Sequence, residues 1–245
     1  MDNVMYVGLS RQMTLQRELD VVANNIANAE TAGFKVENLN VETEPRYLPS
    51  NDDGLNTINF ALDSGVTRDF GQGALKETGA ALDMAIEGDG FFTVSTPAGN
   101  RYTRDGRFSL DGQGRIVNAQ GDALLDSSGA EITLDSTRGR PTLGQDGTLS
   151  QQGQIVGKVG VAKFASLSAL SKDGGGLYRN DSNIQPQPAG DARLMQGMIE
   201  ASNVNPIVQI SKLIEVSRAY ESIARMMDQT SQLSSQTIDR LAQVS

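Results

Sequence analysis

The 245-residue chain contains no cysteine and no histidine. Without cysteine it has no disulfide and no thiolate to act as a nucleophile or metal ligand. Without histidine it lacks the commonest general base and the commonest metal ligand. None of its serines lies in a Gly-x-Ser-x-Gly sequence, and no histidine is present to activate one. The composition therefore disfavours catalytic sites built on cysteine or histidine, and we expect no catalytic residue, no metal site, no cofactor and no enzyme activity.

Basic residues and long apolar runs are also scarce. The chain has 21 Lys and Arg against 30 Asp and Glu, for a net charge of −9. This balance disfavours nucleic acid, which rewards a basic face, and offers no polybasic segment for anionic lipid. No stretch approaches the roughly 20 apolar residues that span a bilayer. Because Asp2 comes early and no apolar run follows it, we expect no cleaved signal peptide and no direct membrane insertion.

Glycine and proline are nearly missing from the two ends. All but two of the 26 glycines lie between Gly54 and Gly197, and no proline occurs before Pro45 or after Pro206. Both residues disfavour helix interiors. The two ends of the chain are therefore predicted to be helical, and the middle is not.

Each predicted terminal helix carries a stripe at heptad spacing. The first helix runs from about Asn3 to Ala29, and the second starts at Asn205 as its cap with Pro206 at its first position. The stripe of the first helix comprises Met5, Gly8, Gln12, Leu15, Leu19, Val22 and Ile26. The stripe of the second comprises Ile210, Leu213, Ser217, Tyr220, Ala224, Met227, Ser231, Ser234, Ile238 and Leu241. This spacing predicts a coiled-coil-like pair.

The middle of the chain alternates strand-like runs with turn signals. Phe91–Val94 and Val159–Phe164 are typical of strands, and Asp-Gly pairs at Asp105 and Asp146 are typical of turns. The predicted fold class is α+β: a discontinuous, coiled-coil-like helical domain from both termini with an inserted central all-β domain. The predicted domains are the N-terminal helix at 1–35, an extended linker with some strand at 36–80, the β domain at 81–195 and the C-terminal helix at 196–245.

Three asparagines cluster near the end of the first predicted helix, at Asn24, Asn25 and Asn28. Asparagine disfavours helix interiors because its side chain competes for backbone hydrogen bonds. One interpretation is a frayed helix end with solvated amides. The other is a polar ridge, with Asn24 and Asn28 on one face, that determines how this helix packs against others. Gly33 then supplies a helix stop with positive φ, and Phe34 an apolar residue beyond it.

This segment resembles the N-terminal signature of flagellar rod and hook proteins, in which Ala-Asn-Asn-apolar-Ala-Asn precedes Thr-x-Gly-Phe-Lys. The run from Gln196 to Pro206 resembles the C-terminal motif of that family, and Arg218-Ala219-Tyr220-Glu221 resembles its continuation. Gly88–Phe92 and Tyr102–Phe108 resemble its central motifs. The start, Met1 to Ser10, is more similar to the proximal-rod member than to its distal-rod paralogue.

The resemblance implies a structural subunit of the bacterial flagellar basal-body rod, which passes torque from the motor to the hook. It implies partners among proximal and distal rod proteins and copies of the chain itself. It also implies the flagellar type III export apparatus as a partner and a rod that spans the periplasm. The assembly interface is expected at Asn24, Asn25, Asn28, Gly33, Phe34, Asn203, Asn205, Pro206, Arg218, Tyr220 and Glu221.

Three alternatives remain open from the sequence. One is the distal-rod paralogue of the same family. Another is a secreted, carboxylate-dependent glycan hydrolase that uses acidic residues such as Asp83, Glu87 and Asp89. The third is a monomeric binding module built on the β domain.

Overall fold

A computed structural model describes residues 2–48, 56–182 and 184–244. The chain divides into two compact units. The first comprises Met1–Ala27, Glu37–Asp69 and Val204–Ser245, and the second comprises Asn28–Val36 and Phe70–Asn203. Within the described ranges, neither helix is long and apolar enough to cross a membrane.

The first unit combines two helices with a long antiparallel hairpin. Its elements are α1 (Asp2–Ala27), β1 (Glu37–Leu48), β2 (Asn56–Arg68) and α2 (Pro206–Val244). Helix α2 begins as its sequence predicts, because Asn205 Oδ1 accepts hydrogen bonds from the N–H groups of Ile207 and Val208 at 3.1 and 3.4 Å. Pro206 occupies the first helical position, where its missing N–H leaves no bond unmade.

The prediction of a coiled-coil-like terminal domain is wrong. Helix α1 packs against both α2 and the β1–β2 hairpin, so it buries two faces instead of one seam. Leu15 and Val22 are buried at predicted stripe positions, but Thr14 and Val21 are also buried. The Thr14 hydroxyl reaches the backbone oxygen of Ala61 in β2 at 3.4 Å. The two helices hold 27% of the chain, and they flank a mostly β middle.

The stripe predicted for α2 is also displaced. Gln209 and Val216, seven residues apart, are buried, whereas the predicted stripe residue Ile210 is 47% exposed. The fully buried positions therefore lie one residue before the predicted stripe, whereas Leu213, Tyr220 and Met227 of that stripe are half-buried. The side chains of Ser234, Ile238 and Leu241 fall outside the described part of the structure.

The second unit is built from short strands. In chain order they are β3 (Leu75–Glu77), β4 (Met84–Glu87), β5 (Phe91–Thr96), β6 (Gly99–Thr103), β7 (Ser109–Leu110), β8 (Ile116–Val117), β9 (Ala123–Leu124), β10 (Thr142–Leu143), β11 (Thr148–Gln151), β12 (Gln154–Lys158), β13 (Val161–Lys163), β14 (Leu170–Lys172), β15 (Leu177–Asn180), β16 (Gln187–Pro188), β17 (Arg193–Gln196) and β18 (Met198–Glu200). Two single 3-10 turns occur at Ser136–Arg138 and Leu167–Ala169.

The pairs of strands in this unit are antiparallel. The largest sheet has the order β14-β15-β6-β5-β9-β8-β7, with β13 joining β5 to β16. A second sheet has the order β10-β11-β12, and β17 and β18 pair separately with β4 and β3. The main core includes Ile86, Phe92, Ile116 and Leu124, all at most 1% exposed. A second aromatic cluster surrounds Phe91.

Candidate functional site

Asn25 is the buried member of the asparagine cluster. It is 1% exposed. Its Nδ2 donates to the Glu37 backbone oxygen at 2.7 Å and to Gln209 Oε1 at 3.2 Å, and its Oδ1 accepts from the Glu37 N–H at 2.9 Å. One amide therefore joins α1, β1 and α2 within the first unit. Asn24 is exposed, and α1 ends at Ala27, one residue before the half-buried Asn28.

Gly33 makes the tight turn that its sequence predicts. Its φ of +68° confirms the expected left-handed conformation. The residue also lies against the backbone of the central motif. A Cβ at this position would stand 2.4 Å from the carbonyl carbon of Arg104 and 2.5 Å from the nitrogen of Asp105. Space as well as conformation therefore requires glycine here.

Three charged side chains meet in the interior of the second unit. Lys35 Nζ contacts Glu200 Oε1 at 2.5 Å, with the two side chains 0% and 1% exposed. Arg104 Nη1 contacts Glu200 Oε2 at 3.1 Å. The Gly73 N–H also donates to Glu200 Oε1 at 2.8 Å, and Lys35 Nζ donates to the Gly71 oxygen at 2.7 Å. These donors offset the cost of burying the Glu200 carboxylate. Without that carboxylate, Lys35 and Arg104 would remain buried with no opposite charge beside them.

Backbone hydrogen bonds join the same two chain segments around this charged cluster. The Gly33 N–H donates to the Glu200 oxygen at 2.8 Å, and the Asn203 N–H donates to the Phe34 oxygen at 3.3 Å. Asn203 Oδ1 accepts from the Val36 N–H at 2.8 Å. Lys172 Nζ lies 4.8 Å from the centre of the buried Phe34 ring. We call this group the terminal clamp; its residues are Gly33, Phe34, Lys35, Arg104, Glu200 and Asn203.

The terminal clamp joins segments from the two predicted terminal motifs. Gly33 to Val36 follow α1 in sequence, and Glu200 to Asn203 precede α2. Sequence reasoning named Gly33, Phe34 and Asn203 but missed the charged members. The available signal was that Lys35, Arg104 and Glu200 each lie inside a quoted motif, and that Lys35 and Glu200 have apolar residues on both sides.

The other predicted interface residues are not members of the terminal clamp. Asn24, Asn205, Pro206, Arg218 and Glu221 are exposed, and Tyr220 is half-buried. Glu221 pairs with Arg225 along α2 at 3.6 Å. The structure thus brings Gly33, Phe34 and Asn203 of the predicted set together, buries Asn25 separately in the first unit, and leaves most of the others exposed.

Both helices of the first unit expose large apolar side chains. Near the start of α2 these are Ile207 at 77%, Val208 at 56%, Ile210 at 47% and Ile214 at 48%. On α1 they are Met5, Tyr6, Leu9 and Met13, each at least 42% exposed. Ile207, Ile210 and Ile214 follow one another at steps of three and four residues, which places them on one side of α2. Exposed apolar surface that is contiguous marks interaction sites on soluble proteins. We call these eight residues the apolar helix faces.

Two carboxylates of the acidic cluster formed by Asp83, Glu87 and Asp89 have other partners in the described part of the chain. Asp89 pairs with Lys163 at 3.0 Å, and Asp83 accepts a hydrogen bond from Thr78 at 2.6 Å. The hydrogen bond from Lys163, and then its charge, lowers the pKa of Asp89 below the ordinary 3.8. A carboxyl with a lowered pKa is a poor general acid at neutral pH. In the described ranges, no group of three His, Cys, Asp or Glu side chains is placed to hold a metal ion.

Three segments of the chain match known families. Residues 5–35 match the family described as Flagella basal body rod protein. Residues 85–156 match the Flagellar hook protein FlgE/F/G D1 domain, and residues 195–240 match the Flagellar basal body rod FlgEFG protein C-terminal family.

Curated relatives match along the whole length. The chain is 52% identical to the flagellar basal-body rod protein FlgF of Caulobacter vibrioides, with 100% of each chain covered. It is 37% identical to the FlgF protein of Mesorhizobium japonicum, with 98% of each covered. It is 30% identical to the flagellar basal-body rod protein FlgG of Bacillus subtilis, covering 91% of this chain and 93% of that one.

Proposed function

This chain belongs to the flagellar basal-body rod protein family, and from that premise we propose that it is a structural subunit of the proximal rod. In this role it assembles with homologous rod proteins and copies of itself into the shaft that transmits torque from motor to hook. The similarity of Met1 to Ser10 to proximal-rod members favours that position over the distal rod. No catalytic step is part of this function.

The apolar helix faces are the observation that carries the proposal. Burying apolar surface contributes about 25 cal/mol per Å². Residues such as Ile207 and Ile214 gain this free energy only when another surface covers them. Neighbouring rod subunits supply that surface.

The predicted interface residues divide into two roles under this proposal. Asn24, Arg218, Tyr220 and Glu221 lie on or near the surface of the helices and contact neighbouring subunits directly. Asn205 and Pro206, at the start of α2, belong to the same surface, and Asn28 follows the end of α1. Asn25, Gly33, Phe34 and Asn203 act through the fold of the subunit, because they bond within their own unit.

The location follows from the same premise. The subunit lies in the basal body, within a rod that spans the periplasm, and reaches it through the flagellar type III export apparatus. The acidic net charge of −9 supports partners other than nucleic acid.

A pair of matched variants tests the role of the apolar helix faces. Ile210→Gln combined with Ile214→Gln removes apolar surface from one face of α2, and glutamine has at least the helix propensity of isoleucine. Ile155→Gln removes an equally large side chain, 75% exposed, from strand β12. In cells lacking the native copy, we expect the α2 variant to be missing from purified basal bodies and the β12 variant to be present. Incorporation of the α2 variant at the wild-type level would overturn the proposal.

A further inference from the structure

In the described part of the first unit, three methionines are open to solvent. Met5 and Met13 on α1 are 42% and 64% exposed, and Met226 on α2 is 46% exposed. Met84, in the core of the second unit, is 1% exposed. The chain has no cysteine, which would otherwise be the more reactive sulfur. We therefore expect an oxidant to react faster with these exposed thioethers than with the buried one of Met84.

Two of the exposed methionines belong to the apolar helix faces, and Met226 lies further along α2. Met5 and Met13 are two of the eight residues that define those faces. Met13 also borders a groove of about 450 Å³ between α1 and β2, together with Thr14, Arg17 and Leu62. Met226 precedes Met227, whose Cγ lies 3.1 Å from the position of a Cβ on Gly8. A change of polarity at these sulfurs changes the surface that assembly has to cover.

We propose that Met5, Met13 and Met226 are oxidation sites through which peroxide blocks incorporation of the free subunit into the rod. The inference rests on the proposed function, since it requires that these helices meet other subunits. In the reaction, a sulfur lone pair attacks one peroxide oxygen, the O–O bond breaks, an S=O bond forms and water leaves. The thioether loses two electrons and the peroxide gains them.

The physical consequence follows from the sulfoxide group. A thioether packs as a flexible apolar side chain, whereas a sulfoxide is polar and accepts hydrogen bonds. Burying it between subunits without a donor is unfavourable. Once the subunit is assembled the same sulfurs are covered, so the free subunit is the sensitive form.

The first test maps oxidation on the purified full-length chain. Hydrogen peroxide is added to the folded protein, and peptide mass spectrometry follows each methionine with time. We expect sulfoxide at Met13, Met5 and Met226 to form about tenfold faster or more than at Met84. In a strong denaturant the rates should become equal to within about twofold. Equal rates in the folded chain would overturn the inference.

The second test asks whether a polar side chain at these positions is enough to block incorporation in cells that lack the native copy. One variant carries Met5→Gln, Met13→Gln and Met226→Gln and imitates the sulfoxide. The other carries Met5→Leu, Met13→Leu and Met226→Leu, so that it stays apolar and is not oxidised by peroxide. We expect the Leu variant to enter basal bodies with and without peroxide stress. The Gln variant should fail to enter without stress, and the wild type should fail under stress alone.

The outcomes distinguish this inference from the proposed function. Normal incorporation of the Gln variant would overturn the inference while leaving the rod assignment intact. Failure of the Leu variant in unstressed cells would also overturn it, because polarity would then not be the cause. Absence of the unstressed wild-type chain from basal bodies would overturn the proposed function itself.

Discussion

Lys35 and Glu200, 165 residues apart in sequence, form an ion pair with both side chains buried. Lys35 follows α1 and Glu200 ends β18, so the pair ties together the two segments that connect the second unit to the terminal helices. Arg104 shares the same carboxylate. The Glu200 carboxylate is compensated through both of its oxygens, while the buried Nε of Arg104 makes no hydrogen bond in the described part of the structure.

Replacing Glu200 by Gln is expected to destabilise the second unit strongly. The substitution leaves Lys35 and Arg104 buried without the charge that compensates them. We expect the free energy of unfolding to fall by about 3–5 kcal/mol, as when one partner of a buried pair is removed. Urea denaturation of the full-length chain, followed by circular dichroism, measures the change.

Glu221→Gln is the matched control for that variant. Glu221 pairs with Arg225, and the two side chains are 63% and 68% exposed. Solvent screening makes such pairs weak, so its loss should be below about 1 kcal/mol. Similar losses of unfolding free energy for Glu200→Gln and Glu221→Gln would show that the buried ion pairs stabilise the fold no more than an exposed pair does.

Gly33→Ala is expected to destabilise more than Gly79→Ala. The two glycines have nearly the same φ, +68° and +71°, so alanine meets the same conformational strain at both. A Cβ at Gly79 has nothing within 4 Å, whereas one at Gly33 collides with the Arg104 backbone. Calorimetry should show a loss of roughly 1 kcal/mol at Gly79 and a further loss of about 1–3 kcal/mol at Gly33. Equal losses would mean that the close approach is unimportant.

Asn25→Ala is expected to loosen the first unit, and Asn24→Ala is not. Asn25 makes three hydrogen bonds in the interior, and stranding their partners costs about 1–3 kcal/mol. Asn24 is exposed on the same helix. Hydrogen exchange gives a specific readout, because the Glu37 N–H loses its acceptor only in the Asn25 variant. Unchanged exchange at Glu37 in that variant would contradict the assigned role.

Acid is expected to weaken the second unit below about pH 4. Hydrogen bonds from the hydroxyl and then the backbone of Thr148 lower the pKa of Asp146 from its ordinary 3.8. A side-chain hydrogen bond from Arg115 acts in the same direction on the pKa of Asp111. A carboxyl whose pKa is lower in the folded state stabilises that state above the unfolded pKa, and this contribution disappears as pH falls through the folded pKa.

The measurement is urea denaturation at several pH values from 7 to 2.5. These carboxyls should contribute no slope between pH 7 and 5, and stability should fall below pH 4. Asp146→Asn, which cannot ionise, should reduce that fall. If the stability of the variant fell equally steeply below pH 4, Asp146 would not contribute to the acid sensitivity.

Local chemistry in the sequence predicts the start of α2 and the turn at Gly33. Asn205 with Pro206 is a cap signal, and glycine after a helical run is a stop signal, so neighbours alone determine both. The partner of Lys35 was not predictable in this way, because nothing local selects Glu200 from the other acidic residues. The packing of β1 and β2 on α1 was missed since Thr14 and Asn25 are polar and give no apolar periodicity.

The central claim is that this chain is a subunit of the flagellar rod. Its most direct test is quantitative mass spectrometry of basal bodies purified from cells that express the chain, with cells deleted for it as the comparison. The account predicts that its peptides copurify with the rod in a fixed ratio to other rod proteins, and that deletion leaves no full-length rods. Full-length rods that lack this chain, in either strain, would contradict the account.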